Sequence, residues 1–230
     1  MSRALNTAYT QQNSSGAPAP FVAGKNKILN GDFAIWQRGT SFTLSSGVNT
    51  YTADRWTVVS TTGTTVQRQA FTLGSAPVPG YEGTYYLNQV INTASANYET
   101  VQRIEDVRTF AGQTVTLSFW ARSTVGSQPL NAYIYQYFGT GGSPSSLVTT
   151  TLLSSSTGSY TYTPTSTWQR YWFTFSIPSI SGKTLGTNND SFLWVRIAQY
   201  TSGSIANTSL DLWGVQIEAG SVCLLYTSDA

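Results

Sequence analysis

The chain has 230 residues, of which 10% are charged and 13% aromatic, with a net charge of +2; a usual chain carries ~25% charge. Abundant apolar residues exclude intrinsic disorder, and the lack of any basic run excludes the footprint of a nucleic-acid binder. The absence of histidine excludes histidine triads and histidine-ligated zinc, and the single cysteine, Cys223, excludes an internal disulfide.

Residues 1–27 read as an arm. "NTAYTQQNSSGAPAP" is polar, rich in turn formers and without periodicity, which suits a disordered terminus or a segment that orders on docking to a particle. No apolar core follows Met1, so no secretory signal is expected and synthesis in a cytoplasm is. No stretch reaches the ~20 apolar residues of a membrane span, so membrane insertion is not expected.

From Ile28 onward, short strand-like segments recur: "YTADRWTVVS", "TTVQRQAFTL", "TYYLNQVI", "TVQRIEDV", "TVTLSFWARS", "LNAYIYQYF", "WQRYWFTFSI", "SFLWVRIAQY" and "SLDLWGVQIE". The breakers between them include "SAPVPG", "GTGGSPSS" and "SGKTLGTNND". Strands at this spacing without helical patterns predict an all-β fold, a two-sheet antiparallel β-sandwich over residues 28–222. "VQRIEDVRTF" could also form a short helical turn.

The alternation within three strands is informative. Val115, Leu117, Phe119 and Ala121 share one face, with Trp120 and Arg122 on the other; Leu193, Val195 and Ile197 oppose Phe192, Trp194, Arg196 and Tyr200; Leu130, Ala132, Ile134 and Phe138 oppose Tyr133, Tyr135 and Tyr137. Trp120, Arg122, Tyr133, Tyr135, Tyr137, Trp194 and Arg196 thus read as one Tyr/Trp/Arg face behind an aliphatic core face. Aromatic faces stack on the C–H patches of sugars while arginines bind their hydroxyls, so this face is the candidate glycan site. Burial within the fold or contact with another subunit would also explain it.

The stretch "NGDFAIWQRG" and the later "ADRW" set Asp32, Arg38, Asp54 and Arg55 beside Trp36 and Trp56 in a chain poor in charge. They predict a clamp in which one acid–arginine pair ties the first strand to the sandwich, with bends at Gly31 and Gly39. Independent surface charges are the alternative.

"KILNGDFAIWQRGTSF…YTADRW" and "LWGVQIEAGSV" resemble the opening and close of jelly-roll modules in bacteriophage virion proteins, such as tail fibres and capsid appendages. The middle, "AGQTVTLSFWARS", "WQRYWFTFSIP" and "SLDLWGVQIE", is similar to family 4/9-type carbohydrate-binding modules, a galactose-binding-like jelly roll. This resemblance implies a virion location, other virion proteins and host cell-surface polysaccharide as partners, and a homotrimer. It also implies a structural Ca²⁺, for which Asp32 and Asp211 are the nearest matches in a chain with few acids. The terminal "CLLYTSDA", residues 223–230, resembles the translation of a transposase adapter from sequencing libraries, which implies that the native sequence is interrupted after Val222. The alternative is an apolar terminal strand.

No enzyme is expected. A glycosidase needs two carboxylates roughly 5–9.5 Å apart. Glu105 and Asp106 are adjacent, and Asp211 and Glu218, seven apart, should alternate to opposite faces. "GTGG" at Gly139 lacks the lysine and helix of a phosphate loop and reads as a turn. The expectation is a non-enzymatic virion component that binds glycan, or a decoration protein with an assembly role, or a cellular carbohydrate-binding module.

Overall fold

The computed structural model describes residues 26–223 except 46, 61–62, 93–97, 126–127 and 201–206. The predicted arm, apart from its last two residues, and the adapter-like tail after Cys223 lie outside the described residues.

The described chain is all β. Its strands are β1 (Ser41–Thr43), β2 (Thr50–Tyr51), β3 (Trp56–Ser60), β4 (Thr64–Ala70), β5 (Tyr85–Ile91), β6 (Tyr98–Glu105), β7 (Thr114–Arg122), β8 (Leu130–Tyr137), β9 (Val148–Thr149), β10 (Thr151–Ser155), β11 (Thr161–Tyr162), β12 (Gln169–Ser176), β13 (Phe192–Tyr200) and β14 (Thr208–Ala219). One sheet has the order β1-β4-β5-β14-β7-β12-β10; the other runs β11-β8-β13-β6-β3-β2, with β9 beside β8. All pairings are antiparallel, and the two sheets stack as a jelly-roll sandwich. No helix among the described residues is long and apolar enough to cross a membrane.

The period-2 pattern decides which face goes inward. Val115, Leu117, Phe119 and Ala121 on β7 meet Ile134 on β8 and Leu193, Val195 and Ile197 on β13 in one apolar cluster. Tyr98 enters the same core and hands its hydroxyl hydrogen bond to Gln89, so its polar end is satisfied where water is excluded. "VQRIEDVRTF" is strand through Glu105; the turn that follows carries Asp106 and Phe110 at φ 65° and 61°.

The predicted first strand is not a strand. Residues 26–36 form a plug across one end of the sandwich. Asn26 and Lys27 lie beside β14, with the Lys27 N–H donating to Ile217 O at 3.1 Å. The Leu29 N–H donates to the Gln102 side chain and its carbonyl accepts from it, both at 2.9 Å. Ile28 and Phe33 are fully buried, and Phe33 packs 5.1 Å from the Trp56 ring. The plug fits only because position 31 lacks a side chain, since a Cβ there would sit 2.1 Å from Val215 O.

Candidate functional site

The plug also builds a wall. With Leu29 and Ile35 turned outward, it stands beside the outer face of the β8-β13-β6-β3-β2 sheet and encloses one side of an open cleft of about 1360 Å³. The 185–191 loop forms the facing wall, and Tyr137, Phe192, Trp194, Arg103 and Tyr51 lie along the cleft.

Strand register explains the floor. Outward-facing residues on β6, β13 and β8 fall in rows: Arg103–Trp194–Tyr135 and Glu105–Phe192–Tyr137. The rings make a continuous strip. Tyr160 stacks on Tyr133 at 4.8 Å, Tyr133 lies 5.8 Å from Tyr135, and Tyr135 lies 6.2 Å from Trp194. Trp194 is 6.1 Å from Phe192, which stacks on Tyr137 at 4.6 Å. The strip is half-buried. Burial pushes the Tyr133 and Tyr135 hydroxyls up, keeping both protonated and able to donate at neutral pH.

The predicted face divides in two. Tyr133, Tyr135, Tyr137, Trp194 and Arg196 come together on this sheet, but Trp120 and Arg122 lie on β7, on the outer face of the other sheet. The sequence period assigns a side chain to an inner or outer face; it does not say which sheet the strand joins. Both predicted arginines are engaged within the fold. The Arg196 guanidinium lies 3.7 Å from the Trp194 ring centre and bonds Glu99 at 3.0 Å, with side-chain exposures of 12% and 14%. Burial raises the Glu99 carboxyl, although Arg196 pulls it down.

Arg122 belongs to a polar ladder across four strands. Gln67 donates to Asn88 at 2.9 Å, Asn88 to Asp211 at 2.5 Å, and Arg122 Nε to Asp211 at 2.7 Å, each pair in cross-strand register. Arg122 also donates to the Tyr86 hydroxyl at 3.1 Å and lies 4.8 Å from the Trp168 ring centre. Trp168, Tyr86 and Phe71 close over the ladder, and Trp213 beneath is fully buried against Phe71 and Tyr81. Trp120 sits half-buried in the next row, opposite Trp213 and Arg170.

The two acids named for calcium do not fit one site. Burial raises the Asp211 carboxyl, while Asn88 and Arg122, occupying its two oxygens, pull it down. Asp32 accepts the Ala34 N–H at 3.2 Å in its own turn. Among the described residues no three acidic, histidine or cysteine side chains gather as a metal site.

The two segments meet, but Asn30 rather than an acid–arginine pair joins them. Asn30, at φ 54°, donates to Ile35 O and Asp54 O, each at 3.0 Å, and accepts the Ile35 N–H at 2.9 Å. Trp56 Nε1 donates to Asn30 O at 3.0 Å and Trp36 Nε1 to Phe33 O at 2.7 Å, so the tryptophans pack as expected. The Arg38–Asp54 pair is 3.9 Å apart with Arg38 58% exposed, too loose to hold the segment. Arg55 bonds Glu105 rather than Asp32. Asn30, Arg55, Asp106 and Asn189 all line the cleft with positive φ, from 54° to 73°, so its rim is shaped by backbone that most residues avoid.

Asp211 and Glu218 also depart from expectation. A bulge at Gly214, φ 63°, shifts the register between Trp213 and Gln216, so both acids face outward. Seven residues of strand still separate them by roughly 20 Å. In the cleft, burial raises Glu105 but the Arg55 hydrogen bond and charge outweigh it and pull it lower overall, and the Thr140 hydroxyl and N–H hold Asp190 low. Neither is set as a general acid. Arg103 and Phe192 were absent from the predicted site; the alternation of Glu99, Val101, Arg103 and Glu105 along β6 was the signal for the first.

No family model matches the sequence, and no curated protein matches it. Among solved structures, the chain overlaps the enzymatically active domain of bacteriophage CBA120 tailspike protein 4 at 15% identity and TM-score 0.47, covering 84% of this chain but only 21% of that one. It overlaps the CBM22-2 xylan-binding domain from Paenibacillus barcinonensis at 13% identity and TM-score 0.45, covering 78% and 98%. A family 11 carbohydrate-binding module from Clostridium thermocellum gives 14% identity and TM-score 0.39, covering 78% and 95%. These are loose overlaps between β-sandwich folds.

Proposed function

We propose that this chain is a non-catalytic glycan-binding sandwich that takes a sugar chain along the aromatic cleft. The observation that carries the reading is the strip Trp194–Phe192–Tyr137, partly buried along an open cleft between two built walls. Sugars offer alternating C–H patches and hydroxyls; the strip offers aromatic rings, and its margin offers Gln37 and Asn189. Among the described residues, the partners already held by the cleft carboxylates, Glu105 by Arg55, Asp106 by Arg108 and Asp190 by Thr140, support binding rather than hydrolysis.

The setting we propose is a phage particle, supported by the likeness of "KILNGDFAIWQRG" and "LWGVQIEAGSV" to virion modules. Host cell-surface polysaccharide and other virion proteins are then the partners, and a homotrimer is the expected assembly. No calcium is included in this reading.

The test is a glycan array and a panel of bacterial polysaccharides. Trp194→Ala should lower affinity for any hit by about 30-fold, as for a central tryptophan anchor. The trimer mass, read by light scattering, should stay unchanged. A variant that loses the trimer and keeps its glycan affinity would make the strip an assembly surface.

A further inference from the structure

We propose that the cleft selects a glycan bearing an anionic group, and that Arg103 is the residue that receives it. The inference rests on the reading of the cleft as a sugar site. Four arginines line the cleft. Three are matched with acids: Arg55 bonds Glu105, Arg108 lies 3.2 Å from Asp106, and Arg38 lies 3.9 Å from Asp54. Arg103 is different. Among the described residues it has no carboxylate within ion-pair distance, and its contacts are rings.

Its guanidinium carbon lies 4.8 Å from the Phe192 ring centre and 6.0 Å from that of Trp194, on the floor row Arg103–Trp194–Tyr135. A guanidinium seated over a ring is held in place electrostatically, and its N–H edge remains open to solvent. That edge is a planar fork that matches a carboxylate or a sulfate with two parallel hydrogen bonds. Because the rings restrict the side chain beforehand, less rotamer freedom is lost on binding. The cleft's remaining acid, Asp190, is turned to Thr140, whose N–H and hydroxyl it accepts at 2.7 and 2.6 Å. Arg196, the other guanidinium on the strip, is taken by Glu99. An anionic sugar would therefore stack on Trp194 and place its charge on Arg103 without displacing an ion pair.

The experiment measures binding of the full chain to dextran, polygalacturonate and dextran sulfate at matched salt. The neutral polymer tests the cleft alone, and the two anionic ones separate carboxylate from sulfate. At least one anionic polymer should bind about tenfold or more tighter than dextran, a difference of about 1.4 kcal/mol. Arg103→Gln should erase that preference, bringing the anionic polymers down to the affinity the variant shows for dextran. Arg68→Gln removes the same charge from β4 of the other sheet and should leave the preference intact. Arg103 is exposed, so the variant should melt with the parent. An equal loss in Arg68→Gln would reduce the effect to diffuse charge attraction and overturn the proposal. Equal affinity for all three polymers, lost in Trp194→Ala, would overturn it while leaving the sugar-binding cleft standing. Binding to none of the three would sink both readings.

Discussion

The two outer faces of the sandwich are made from the same residue types and do opposite things. On one, Arg122, Asp211, Asn88 and Gln67 close a hydrogen-bonded ladder that Trp168, Tyr86 and Phe71 cover. On the other, Tyr137, Trp194, Phe192 and Arg103 lie along an open cleft between the plug and the 185–191 loop. The first face uses an ion pair and aromatics to fasten the Phe71 and Trp168 segments onto the sheet. The second has the same chemistry with walls at its sides and no lid among the described residues. A tryptophan–arginine pair is therefore not a site by composition; what lies above it decides.

That contrast can be broken most sharply at Arg122. Arg122→Ala leaves Asp211, 1% exposed, without its cation. It should cost about 3 kcal/mol in urea unfolding at neutral pH, the low end for a broken buried pair because Arg122 is 26% exposed. Burial already raises the Asp211 carboxyl, and losing Arg122 raises it further. A raised folded-state value means that the penalty belongs to the charged form, so the loss should shrink as pH falls through that value. A loss that stays constant on acidification would show that packing, not charge, holds that face. Glycan affinity should not change.

The cleft wall should respond next. Asn30→Ala removes three hydrogen bonds and puts alanine at φ 54°, for about 2–3 kcal/mol together. The neighbouring Arg38→Ala should cost under about 0.5 kcal/mol. Comparable losses from both would restore the ion pair as the clamp. On the strip, Trp194→Ala should cost only about 1–2 kcal/mol of stability, since Trp194 is only partly buried. A cost near that of Arg122→Ala would show that the strip is core rather than site.

The smallest effect belongs to the facing loop. Asp190 is held low by Thr140, so its contribution is present above the usual carboxylate range and is lost as pH falls through its lowered value. Below about pH 4 the Thr140 amide should exchange faster relative to strand amides, measured by pH-corrected hydrogen exchange. Unchanged relative protection down to pH 2 would separate that wall from Asp190.

The sandwich was legible because its signal is local. Two-residue alternation in "TVTLSFWARS" and "LNAYIYQYF" follows from the pleat, and the inner faces of β7 and β8 match it residue for residue. Tyr133, Tyr135, Tyr137 and Trp194 were legible as outward rings for the same reason. The clamp was half legible: the segments meet and the tryptophans pack, but Asn30 was passed over in favour of charges. A positive-φ asparagine bonding two distant carbonyls leaves no periodic trace.

What the sequence determined by itself was the period: which side chains point inward, where turns fall, and that rings and guanidiniums share outward faces. Tertiary structure alone decided the rest. It sent β7 to one sheet and β8 with β13 to the other, splitting one predicted face into two. It inserted the Gly214 bulge that returned Glu218 to the outer side. It paired Arg122 with Asp211 and Arg196 with Glu99, 89 and 97 residues away in the chain, and left Arg103 to the rings. Side-chain direction is fixed by the two dihedral angles of each residue, whereas strand partners are fixed by which distant surfaces bury the most together.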